Sequence, residues 1–152
     1  MQNKQIYDLS VATKKIKRYC SLQERCQWDV IKKMNEWRLG KKTKDYLVKI
    51  LIAENYLNEE RFTQSFCRGK FKIKNWGKIK IINELKQKKI STICIKTGMK
   101  EINQDEYLKI LDKLFNQKEQ ELTNKKHFAK KRKIAYFLIQ RGFESFLVWE
   151  KI

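Results

Sequence analysis

Proline is absent from this sequence of 152 residues, and only five glycines occur. These residues end strands and shape tight turns, so a sheet-rich fold with frequent reversals is excluded and an all-α fold is favoured. Histidine occurs once, as His127, and the four cysteines (Cys20, Cys26, Cys67, Cys94) include no CxxC pair. That leaves no ligand set with zinc spacing, and free thiols on apolar faces of a reduced compartment account for the cysteines better. No glycine-rich phosphate loop is present, and no serine, cysteine or aspartate constellation surrounds His127. Carboxylates gather at helix starts, where capping explains them. The chain is therefore expected to be neither an enzyme nor a carrier of a cofactor. The apolar runs around 46–53 and 135–139 are too short to cross a bilayer, and residues 1–10 hold no signal-peptide core. A cytoplasmic monomer with no membrane partner is expected.

Acidic residues are also scarce: 36 lysines and arginines stand against 17 aspartates and glutamates, a formal net charge of +19. The excess of lysine over arginine fits an AT-biased genome, but such a bias does not remove aspartate and glutamate. A field of this sign attracts polyanions. With 41% hydrophobic residues there is enough apolar surface for a folded core.

The stretch 56–91 organises the rest. Asn58 caps a helix whose first turn carries Glu59 and Glu60, where the dipole favours carboxylates. Phe62, Phe66 and Ile73 share one face of it. A basic link with Trp76 and Gly77 leads to a second helix, whose stripe is Ile79, Ile82 and Leu85, ending at Ile90 and Ser91. Before it, a helix is expected over about 10–19. Ser21 and Glu24 have the spacing of a capping box for a helix reaching Trp37, with Gly40 as its stop. A further helix spans about 43–54 with Leu47, Ile50 and Leu51 inward. After it, Asn103 with Asp105 and Glu106 repeats the Asn58 start, leading to Leu108, Leu111, Leu114 and Phe115. A helix from about Lys125 to Gln140 then holds Phe128, Ala135 and Leu138, and a short last helix holds Phe146, Leu147 and Trp149.

An internal repeat links these units. Met34 and Leu39, Leu85 and Ile90, and Leu138 and Phe143 are three pairs, each five residues apart, recurring just over fifty residues along. Each is followed by an apolar helix. The architecture expected is all-α, an elongated stack of three tandem three-helix repeats over 10–56, 57–101 and 102–152, after a loose tail at 1–9.

The segment Leu57 to Phe62 (L-N-E-E-R-F), Arg68, Trp76 to Lys78 (W-G-K) and Glu84 to Ile90 (E-L-K-Q-K-K-I) resembles the central segment of RecX regulatory proteins. In that family the pattern is commonly L-D-D-E-R-F, a basic link, G-P, and E-L-x-x-K-G-I. Here Asn58 replaces the capping aspartate, Lys78 stands where proline is common, and Lys89 where glycine is common. Residues 138–143 resemble the third unit's L-x-x-R-G-F, and 45–62 resemble the first unit running into the second. The part before Asp45 matches loosely. The resemblance implies a partner, the RecA recombinase filament on single- or double-stranded DNA, and inhibition of recombinase activity and ATP turnover. An independent DNA- or RNA-binding helical module is the alternative. Basic clusters recur on every repeat, among them Lys14 to Arg18, Lys32-Lys33, Lys41 to Lys44 and Lys125 to Lys133. Expected contacts with RecA or DNA are Arg68, Lys70, Lys72, Lys74, Trp76, Lys78, Lys80, Lys86, Lys88, Lys89, Lys130, Lys131, Arg132, Lys133 and Arg141. For Trp28, Trp37 and Trp149 buried packing is the expected use; Trp76 lies in a basic link, off any apolar stripe.

Overall fold

Every regular element among the described residues, 4–123 and 126–152 of a computed structural model, is an α-helix. The first triple is α1 (Leu9–Leu22), α2 (Gln27–Glu36) and α3 (Lys41–Ala53). The second is α4 (Glu59–Lys72), α5 (Lys78–Gln87) and α6 (Thr92–Met99). The third is α7 (Gln104–Glu121), α8 (His127–Gln140) and α9 (Ser145–Lys151). Lys125, where the sequence starts α8, lies outside the described residues.

Side-chain oxygens cap four helix starts. Asp8, Asn58, Ser91 and Asn103 accept N–H bonds from Val11, Arg61, Cys94 and Glu106 at 2.8, 2.9, 3.2 and 3.0 Å. Such caps satisfy donors that the helix itself cannot. The box expected at Ser21 and Glu24 does not form. Ser21 lies inside α1 and donates its hydroxyl to the Arg18 carbonyl, because α1 runs on to Leu22. The working pair is Cys26 and Asp29, where the Cys26 N–H donates to Asp29 Oδ2 at 3.2 Å.

The repeat is written most clearly in how the second helix of each triple stops. Leu39, Ile90 and Phe143 donate N–H to the carbonyls of Met34, Leu85 and Leu138 at 3.4, 3.1 and 3.1 Å. The preceding residues, Arg38, Lys89 and Gly142, donate to Asn35, Lys86 and Ile139, each at 3.0 Å. This is the Schellman stop, and it places one residue in the left-handed region. Their φ values are +57°, +61° and +101°. Gly40 is therefore not the stop of α2; it caps α3 at φ −72°, and Arg38 makes the turn. Lys89 holds a conformation that glycine adopts without steric cost, so Lys89→Gly should stabilise the chain by about 1 kcal/mol, read as a higher urea midpoint at unchanged slope.

Two cores form. Ala12, Ile16, Val30, Met34, Leu39, Leu47 and Leu51 fill the first triple. The second and third share one, in which Phe71, Ile81, Leu85, Tyr107, Leu111, Ile134, Leu138, Phe143 and Val148 are fully or almost fully buried, and Cys26 and Trp28 of the first triple reach into it. Several stripes are rotated from expectation. Phe71 and Cys67 are buried and Ile73 is exposed, because the chain leaves α4 at Lys72. Ile81, not Ile79, pairs with Leu85 at i, i+4; Ile134 takes the place given to Phe128, and Val148 that of Phe146 and Trp149. Phe128, Phe146 and Trp149 are more than half exposed.

The two junctions between triples are unlike. At the first, Gln27 N–H donates to Glu59 Oε1 (3.3 Å), Lys88 Nζ to Asp29 Oδ1 (2.6 Å) and Arg61 Nε to Glu24 Oε1 (2.7 Å). At the second, backbone meets backbone. Gly77 N–H donates to the Arg141 carbonyl at 2.9 Å and Ile79 N–H to the Gly142 carbonyl at 3.0 Å. Lys78 N–H donates to Tyr107 Oη at 3.0 Å, and that phenol donates to Glu144. Upstream, Ile6 N–H donates to the Trp37 carbonyl at 3.1 Å, and the Tyr7 and Trp37 rings meet edge to face at 5.7 Å. The accessible surface, 10194 Å², exceeds the roughly 8,200 Å² of a compact monomer of 18.5 kDa, as stacking in a row requires.

Candidate nucleic-acid interface

The link between α4 and α5 shapes a concave surface. Asn75 turns the chain at φ +55°, with its N–H on the Phe71 carbonyl and the Trp76 N–H on the Lys70 carbonyl, both 3.0 Å. The turn folds the Trp76 ring back onto α4, edge to face with Phe66 at 6.4 Å. Lys70 Nζ, one turn beyond Phe66, lies 4.8 Å from the indole centroid, and Lys80 Nζ from α5 lies 4.4 Å away. Trp76 thus sits among cations, half-buried, as its place in a basic link suggested.

A groove of about 470 Å³ opens beside it, between α4–α5 and the α1–α2 turn. Phe62, Phe66 and Trp76 line it, with Arg25, Lys70 and Lys74 among its cations. Arg25 stands over Tyr19, its guanidinium carbon 3.8 Å from the ring centroid. Of the groove's acids, Asp29 is held by Lys88 and Glu24 by Arg61. Burial pushes the Asp29 carboxyl up, but the Lys88 ammonium and the Cys26 N–H outweigh it, and the net shift is below the usual range. Burial, together with the Asp29 charge, raises Glu59 despite the Gln27 N–H, and its Oε2 is buried without a partner. Charge balance at the groove is therefore positive.

The expected contacts fall into distinct settings. Arg68 pairs with Glu101 at 3.3 Å, Lys78 Nζ donates to Gln104 at 2.6 Å, and Lys88 is held by Asp29. Arg141 donates to the Lys74 carbonyl at 2.6 Å and the Asn75 carbonyl at 3.3 Å, clamping the link. Lys70 and Lys80 stand over Trp76, while Lys72, Lys74, Lys86 and Lys89 are exposed with no acidic partner among the described residues. Lys130, Lys131, Arg132 and Lys133 lie on α8 in the third triple, where Arg132 approaches the exposed Phe128 ring at 6.0 Å. Of the second triple's candidates, Lys70, Lys74, Trp76 and Lys88 line the groove, and the α8 group belongs to another element. Arg25 is a groove residue that periodicity did not single out. Its signal is the repeat itself: fifty-one residues on, at the same step, stands Trp76.

No group of three or more histidine, cysteine, aspartate or glutamate side chains is placed to hold a metal among the described residues, and none of their helices is long and apolar enough to cross a membrane. Burial pushes the Cys20 thiol up to about 11 and those of Cys26 and Cys67 up to about 12, so these three are not thiolates at neutral pH.

Residues 58–99 match the family described as RecX, second three-helix domain. A protein named "Regulatory protein RecX" from Streptococcus agalactiae serotype V is 29% identical over 131 residues, 86% of this chain and 50% of that protein. One of the same name from Lactobacillus gasseri is 27% identical over 90 residues, 59% of this chain and 33% of that protein. The chain spans about half the length of the Streptococcus relatives it matches, or less. Two solved structures share the fold. "Crystal structure of regulatory protein RecX" superposes with a TM-score of 0.82 at 20% identity, covering 91% of this chain and 68% of the other. RecX from Lactobacillus salivarius gives 0.79 at 17%, covering 92% and 91%. The chain is thus similar to RecX in sequence at residues 58–99, and it shares the fold of the RecX structures over nine-tenths of its length.

Proposed function

We propose that the chain is a RecX-like regulator that binds RecA–DNA filaments and restrains recombinase activity and ATP turnover. The observation that carries this is the coincidence of the RecX-matched segment, 58–99, with the groove and the lysines around Trp76. A row of basic repeats can lie along a filament, meeting phosphates and acidic protein surface together, and linked contacts raise avidity where spacing fits. The regulator acts as a cytoplasmic monomer without cofactor, and it works by occupying a surface, not by chemistry. Its units are the segments 10–56, 57–101 and 102–152.

The deciding experiment is ATP turnover by the cognate RecA on single-stranded DNA, with and without the chain. Turnover should fall, and binding to the filament should be tighter and less salt-sensitive than binding to the same DNA alone. Equal affinity and equal salt slope with unchanged turnover would leave the second reading, an independent nucleic-acid-binding module. The lysine-flanked Trp76 is what favours that module.

A further inference from the structure

We infer that the groove beside Trp76 is a seat for one unstacked base of a single-stranded nucleic acid, with the flanking phosphates on Lys74 and Arg25. This builds on the proposed function by naming the chemistry of the same surface, yet it stands on contacts to naked nucleic acid alone. The groove's volume, about 470 Å³, falls in the range of roughly 300–1,000 Å³ that holds small ligands. Its lining pairs an aromatic face with cations, which is the composition that binds single strands without reading sequence.

Lys70 and Lys80 reach the Trp76 ring on flexible four-carbon stems and sit 4.8 and 4.4 Å from its centroid. A base arriving on the indole displaces an ammonium, which moves only as far as the base's own phosphate. The cation–π contact is thus replaced by base stacking and a phosphate pair. Duplex DNA cannot make this exchange, because its bases are already stacked.

The acids decide between a base and an acidic peptide. Asp29 and Glu24 are engaged by Lys88 and Arg61, whereas Glu84 lines the groove with no ion pair among the described residues. A free carboxylate in the wall repels an acidic side chain. It accepts a hydrogen bond from a base N–H, such as N3–H of thymine.

The test uses the full chain and two octamers: dT8, and an octamer of abasic sites carrying the same phosphates. Fluorescence anisotropy should show dT8 binding about tenfold tighter, the size expected for one stacked base. Trp76→Leu should abolish that preference and leave the salt slope on the abasic octamer unchanged. Lys74→Ala should weaken both octamers and reduce the slope by about one. Equal binding of the two octamers by the unaltered chain overturns the inference, whether or not any variant folds. So does a Trp76→Leu protein that keeps the preference. Displacement of dT8 by octaglutamate at equal concentration reassigns the groove to an acidic protein segment. Because RecA is absent throughout, failure here leaves the turnover result standing, and a null turnover result leaves this one.

Discussion

Gly77→Ala should lower stability by about 3 kcal/mol or more. A Cβ at position 77 would lie 2.1 Å from the Gly142 carbonyl carbon and 2.2 Å from the Phe143 nitrogen. Both obstacles are backbone, held by the Schellman stop of α8, so neither can rotate aside. Relief requires the link to back away, which breaks the Gly77–Arg141 and Ile79–Gly142 hydrogen bonds and pulls Lys78 from Tyr107. Tyr107 is fully buried between Phe71 and Phe143, with ring centroids at 5.8 and 5.2 Å, so the shift reaches the shared core. For a chain of this size the melting temperature should fall by roughly 6–12 °C. Gly69→Ala is the control. Its Cβ meets nothing within 4 Å and it lies inside α4, so the same chemical change should stabilise by up to about 1 kcal/mol. A Gly77→Ala protein melting like the parent would contradict the close approach of the two backbones.

The second large effect is expected at the other junction. Asp29→Ala removes the acceptor for both Lys88 and the Cys26 N–H, at a site where the lysine and carboxylate side chains are 22% and 13% exposed. Breaking one partner of such a pair leaves a poorly solvated charge, and with the cap this should cost about 3 kcal/mol. The pH dependence follows from the sign of the shift. The folded-state carboxyl lies below its unfolded value, so its stabilisation is complete above about pH 3.9 and drains away as pH falls through that value to the folded one. The variant should lack this acid-side component. Because the first triple has a core of its own, loss of the junction should also split urea unfolding into two steps. Chemical denaturation from pH 2 to 7 checks both, and a single cooperative transition with the parent's acid limb would refute the junction's role.

Those consequences rest on features the sequence revealed unevenly. The repeat was legible because its stops are local: Met34–Leu39, Leu85–Ile90 and Leu138–Phe143 are all buried, and each pair closes the same hydrogen bond. Caps at Asn58 and Asn103 were legible for the same reason. Ser21 misled, because its pattern is equally satisfied by a serine inside a helix bonding back to Arg18. Stripe positions slipped where a helix carries apolar residues on several faces. Ile79, Ile81 and Ile82 share α5, and contact across the shared core selects Ile81. The groove was half visible. Trp76 stood out in its basic link, but the roles of Arg141, Lys88 and Arg25 depend on segments 51 to 67 residues away in the chain.

The unlike junctions give the chain the mechanics of a stiff plate with a latched arm. Backbone bonds between Gly77, Ile79 and the 141–142 turn weld the second and third triples around one core, and load on either passes directly to the other. The first triple is fastened by side-chain contacts, Lys88–Asp29, Arg61–Glu24 and the packing of Cys26 and Trp28 on the shared core, with its own interior to fall back on. Ions that compete for carboxylates and ammonium groups loosen the latch and leave the weld untouched. A polyanion drawn into the groove competes for the latch itself, since Lys88 lines the same space. Ligand and latch therefore draw on one set of charges, those of Lys88, Asp29 and Glu24.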